Sequence, residues 1–108
     1  MDKILRIYQV AQKCGFDAKH REDNDKVAFA FKAKDIPLNC FFEVAAQSDE
    51  KLRENVAHEL FVLSDNFDPH TETKKYLEKI GGNLKQYTDI YSQMTDLAWQ
   101  IRKFWLSL

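Results

Sequence analysis

Five side chains in this sequence carry the chemistry for nucleophilic catalysis or metal binding: Cys14, Cys40, His20, His58 and His70. His58-Glu59 matches the start of the zinc-protease helix motif. That motif needs a second His four residues after the first, so that both imidazoles face one ion, and Val62 stands there instead. The three histidines form a metal site only if the fold brings them together. A thiol nucleophile must be exposed and its thiolate stabilised. Cys14 and Cys40 both sit among apolar neighbours in segments that read as structured. Buried free thiols in a reducing cytoplasm are therefore expected, not a disulfide or a metal site. Gly81-Gly82 lacks the Lys and Ser/Thr of a phosphate-binding loop and follows a helix, so it reads as a helix break. No catalytic motif, cofactor or metal site is expected.

The residues that draw attention instead are apolar ones in the wrong place. Asn83 to Leu108 reads as one long C-terminal helix, with Leu84, Tyr87, Ile90, Tyr91, Met94, Leu97, Ala98, Ile101, Phe104, Trp105 and Leu108 at helical spacing. Trp99 and Leu106 fall off this stripe, at about 120–140° from Met94 on the helical wheel. With Thr95 and Arg102 they form a second, minor stripe. Trp is a common anchor at protein interfaces. Trp99 is therefore either an anchor for a partner or packed under another element of its own chain. Phe41 and Phe61 are off-pattern in the same way.

The charges are balanced overall but not locally. The formal net charge is −1, which argues against both broad nonspecific DNA binding, which needs a basic field, and a strongly acidic DNA mimic acting through bulk charge. Between Asp49 and Glu72, however, Asp49, Glu50, Glu54, Glu59, Asp65, Asp68 and Glu72 are opposed only by Lys51 and Arg53. This segment is either a solvated helix face with acids at favourable N-termini or an acidic patch that docks on a basic partner.

The elements that must position these residues follow from periodicity and punctuation. At 108 residues, with 44% hydrophobic and 13% aromatic content, the chain is expected to form one domain, 1–108, with its own core. Met1-Asp2-Lys3 has no long apolar run behind it, so no signal peptide is expected, and no stretch approaches the roughly 20 apolar residues of a membrane span. Asp2 to Cys14 predicts a helix with Ile4, Ile7, Tyr8, Ala11 and Cys14 inward, ended by Gly15. Phe16 to Arg21, Lys26 to Ala33 and Leu38 to Ala45 predict three strands. In the second, Val27, Phe29 and Phe31 alternate against Ala28 and Ala30. In the third, Leu38, Cys40, Phe42 and Val44 point inward and Phe41 to the other face.

Ser48 suits an N-cap for a second helix running to about Asn66. Its main stripe is Leu52, Val56, Leu60, Leu63 and Phe67. Phe61 and Val62 lie off that stripe, which predicts a helix placed between the sheet and the C-terminal helices. Asp68-Pro69 starts a third helix carrying Tyr76, Leu77 and Ile80, which ends at Gly81-Gly82, and Asn83 caps the last. The expected class is α+β: a three-stranded antiparallel meander with helices on one face, in the order α-β-β-β-α-α-α.

The first five elements resemble the double-stranded RNA-binding domain in their order. That family's lysine-rich start of the second helix corresponds here to Ser48-Asp49-Glu50-Lys51-Leu52-Arg53-Glu54, which has two cations against three acids. The resemblance covers the order of elements and not the basic motif, and no RNA-binding residues are carried over. The second half, from His58-Glu59-Leu60 through Asn66-Phe67-Asp68-Pro69 and Tyr76-Leu77 to the last helix, resembles small accessory proteins of phages and mobile elements. That resemblance implies an accessory protein, and some such proteins inhibit host defence complexes, including CRISPR nucleases.

The leading expectation is a cytoplasmic, non-enzymatic interaction protein that binds and inhibits such a complex. Its contacts would be Trp99, Arg102, Leu106, Phe41, Phe61, Asp49, Glu50 and Glu54. A second reading is self-association through Trp99 and Leu106 as a two-fold patch. A third is a nucleic-acid-binding module using Lys26, Lys32, Lys34, Lys51 and Arg53.

Overall fold

The strand Lys26–Ala33 alternates without a break: Val27, Phe29, Phe31 and Ala33 are buried, and Lys26, Ala28, Ala30 and Lys32 are exposed or half-exposed. Period two of this kind places one face on a core and the other toward water. The computed structural model describes residues 3–24, 26–34, 36, 41–47 and 51–108, with only the backbone described at Phe41 and Gln47. Its elements run α1 (Lys3–Lys13), β1 (Phe16–Asp23), β2 (Lys26–Ala33), β3 (Phe41–Gln47), α2 (Leu52–Asn66), α3 (Pro69–Ile80), a 3₁₀ turn (Leu84–Gln86) and α4 (Tyr87–Ser107). The fold is α+β, and the three strands form one antiparallel meander in chain order.

The register fixes the inward row. Phe31 pairs with Ala18 on β1 and Phe42 on β3, and Phe29 pairs with His20 and Val44. β1 continues to Asp23, two residues past the expected end, because Asp23 and Lys26 still pair across a tight turn in which Asn24 takes φ 54°. Asn is among the few side chains that tolerate this left-handed geometry. The expected start of the third strand at Leu38, with Cys40 inward, lies outside the described residues. β3 runs two residues beyond Ala45, and Ala46 is buried.

The inward face is covered by helices. Phe104 of α4 stacks on Phe16, with centroids 5.5 Å apart, and meets Phe31 edge-on at 4.9 Å. Tyr8 of α1 meets Phe29 edge-on. In α1 the buried residues are Ile7, Val10 and Ala11. Val10 belongs to the core beside the expected stripe, because α1 is covered on one flank by more than the sheet. α2 lies between β3 and α4, burying Leu52, Val56 and Leu60. Ser48 lies outside the described residues; Lys51 stands at the N-cap position and makes no side-chain capping bond.

α3 packs on α4 and departs from its expected stripe. Leu77 is buried and Tyr76 half-buried, but Ile80 is exposed, while Thr73, not expected in the core, is fully buried. Thr73 can be there because its hydroxyl donates to the Pro69 carbonyl at 2.6 Å, which satisfies the polar group within the helix. Gly81 ends α3 at φ 67°, the left-handed conformation that glycine adopts without a Cβ penalty. The last helix starts later than expected. Asn83 caps the 3₁₀ turn through a reciprocal bond pair with Gln86, and α4 follows at Tyr87. Leu84 therefore leaves the stripe and is 85% exposed. Among the described residues no helix is long and apolar enough to cross a membrane.

Candidate interaction face

α4 buries Ile90, Met94, Leu97, Ile101 and Phe104. At about 100° per residue, Trp99 projects about 180° from the middle of that stripe. The structure leaves it uncovered: Trp99 is 58% exposed and Leu106 59%. Thr95 and Arg102, between and beside them in the minor stripe, are exposed as well. The alternative in which Trp99 packs under its own chain does not hold among the described residues. A helix packed on one side only, as α4 is by the sheet, α1, α2 and α3, has an outer face that no described element reaches.

Phe61 extends this surface. It is 41% exposed, on the flank of α2 nearest α4, and meets the half-buried Trp105 ring edge-on at 5.1 Å. The expectation that α2 is covered on two sides is thus met by Trp105 for part of Phe61, while Val62 stays exposed. Trp105 lies three residues from Arg102, so the aromatic pair and the Trp99–Leu106 stripe are neighbours on α4. The Trp105 Nε1–H is buried without an acceptor among the described residues. No carboxylate there lies within ion-pair distance of Arg102 either.

Glu54 is exposed in the first turn of α2. Asp49 and Glu50 lie outside the described residues. Phe41 pairs with Lys32 through its backbone, and its side chain is not described. The acidic segment is divided among local roles. Asp68 stands at the N-cap position of α3 and accepts a 2.7 Å bond from the Thr71 hydroxyl, which holds its carboxyl below the ordinary 3.8. Glu72 pairs with Lys75 one turn on at 3.9 Å.

The chemistry-bearing residues are dispersed. His20 on β1 hydrogen-bonds the Tyr8 hydroxyl, and burial raises the pKa of that phenol. His70 on α3 stacks on Tyr91 at 4.3 Å and hydrogen-bonds the Tyr87 hydroxyl. This cluster of exposed His and half-buried Tyr was not anticipated; the i,i+4 spacing of Tyr87 and Tyr91 was the available signal. His58 and Glu59 line a surface cleft of 320 Å³ with Lys26, Asn55, Ala45 and Ala46. Among the described residues no three His, Cys, Asp or Glu side chains are grouped to hold a metal. Cys14 is a free, half-buried thiol, less enclosed than expected because it sits past the end of α1; Cys40 lies outside the described residues.

The cations of the nucleic-acid reading sit on the sheet and at the start of α2. Lys32 is on the outward face of the sheet, Lys26 lines the cleft with Asn55, His58 and Glu59 of α2, and Lys51 and Arg53 lie at the start of α2. Lys34 is 3.7 Å from Asp17.

No family model, no curated protein and no solved structure matches the chain.

Proposed function

We propose that this protein is a non-catalytic interaction protein whose contact surface is the outer face of α4, with Phe61 at its edge. The observation that carries the reading is the exposure of Trp99 on the side of α4 turned away from the core, in line with exposed Arg102 and Leu106. An indole 58% exposed on a regular helix gives up part of the burial that is worth about 1.5–3 kcal/mol for a large apolar side chain when complete, and Trp and Arg are the residue types enriched at interface hot spots.

A cytoplasmic location is part of this reading, and the free thiol of Cys14 supports it. In its fuller form the partner is a host defence complex such as a CRISPR nuclease, and the protein its inhibitor. That form rests on the resemblance of the second half to phage accessory proteins.

The test is capture by the tagged chain from an extract of the source organism supplemented with untagged chain, comparing wild type, Trp99→Ala and Leu106→Ser. A stoichiometric protein, a second copy of the chain included, is expected on the wild type and lost from both variants. The same retained proteins on all three would remove the reading.

A further inference from the structure

The minor stripe of α4 has a period of its own. Thr95, Trp99, Arg102 and Leu106 are spaced four, three and four, the alternation of a and d positions in a helix-pairing seam. All four are exposed, along about 18 Å of helix at 1.5 Å per residue. We infer that the occupant of this face is a second copy of the chain, with the two α4 helices antiparallel about a two-fold axis between Trp99 and Arg102. The inference rests on the reading of this face as the contact surface and names what covers it.

The seam is self-complementary in that orientation. Antiparallel pairing sets Trp99 against Arg102 of the second copy, and Arg102 against its Trp99, so each guanidinium lies on an indole face. This supplies the partner that Arg102 lacks among the described residues of its own chain. The outer layers set Leu106 against Thr95. On one flank, Asp96 comes opposite Lys103 of the second copy, and Lys103 opposite its Asp96. All are exposed, and neither is in an ion pair among the described residues. On the other flank the small Ala98 faces the large Trp105. A parallel, in-register pair would instead stack Arg102 on Arg102, placing like charges together in the seam. The two-fold arrangement uses one patch twice, as closed dimers do. Four layers make a small interface, of the weak and reversible class.

The test is sedimentation equilibrium of the full chain at concentrations up to about 1 mM, the dissociation constant at the weak end of specific binding. The weight-average mass of wild type should rise from one chain toward two. Trp99→Ala and Arg102→Ala should hold it at one chain over the same range. Asp96→Lys and Lys103→Asp should each weaken the dimer several-fold, and the double variant, with the charges exchanged, should restore it. These side chains are exposed, so unchanged circular dichroism is expected throughout. Wild type at the mass of one chain throughout, a dimer that survives Trp99→Ala, or a charge exchange that restores nothing would each overturn the inference. If the chain stays monomeric yet still captures another protein through Trp99, only the choice of occupant falls. If it stays monomeric and captures nothing, the reading of the face falls with it.

Discussion

The ring of Phe61 stands edge-on to that of Trp105, centroids 5.1 Å apart and planes at 81°. This contact joins α2 to the rim of the α4 outer face and leaves part of Phe61 in water. Edge-to-face pairs of this kind contribute about 0.5–1.5 kcal/mol beyond the area they bury.

A double-mutant cycle of Phe61→Leu and Trp105→Leu should therefore show a coupling energy of about 0.5–1.5 kcal/mol in chemical denaturation. Additive losses would mean that the two rings touch without stabilising one another.

Trp99 and Phe104 are five residues apart on one helix and should respond in opposite ways to truncation. Phe104 is fully buried against Phe16 and Phe31, so Phe104→Ala should cost about 3–5 kcal/mol of stability. Trp99→Ala should change monomer stability by no more than about 0.5 kcal/mol, as exposed substitutions do. Urea midpoints measured at low chain concentration check both, and a large loss at Trp99 would show that the fold depends on that side chain.

The Thr71 hydroxyl bond lowers the pKa of the Asp68 carboxyl, and the charge on His70 and nearby backbone groups act in the same direction. A depressed carboxylate contributes stability above its unfolded pKa and loses it as pH falls through the folded value. Asp68→Ala should therefore be less stable than wild type at neutral pH, and the gap should narrow as the medium is taken below about pH 4. Equal gaps at about pH 7 and about pH 3 would show that the carboxylate charge contributes nothing there.

The order of elements was legible because its signals are local. Gly15 and Gly81 end helices at positive φ, Pro69 opens α3, and Val27, Phe29 and Phe31 alternate as a strand with one face on the core must. Strand pairing carried β1 and β3 two residues past their expected ends, and competing local bonds moved the start of the last helix. Asn83 and Gln86 close a capping box that delays α4 to Tyr87 and sets Leu84 in water. Thr73 entered the core because a hydroxyl can bond within its own helix, which hydrophobic periodicity does not register.

The candidate face shows the division most clearly. Trp99 and Trp105 are the same residue type, six positions apart on one helix, and the wheel alone set Trp99 off the stripe. Spacing by itself determined that Trp99, Arg102 and Leu106 share one side of α4, because side-chain direction along a helix is fixed by its pitch. Whether that side is covered was decided only by tertiary structure. α2 brings Phe61 against Trp105, α3 and the sheet cover the buried side of α4, and no described element reaches Trp99. Burial depends on what other segments of the chain deliver to a surface, and that is a property of their packing rather than of the helix that waits for them.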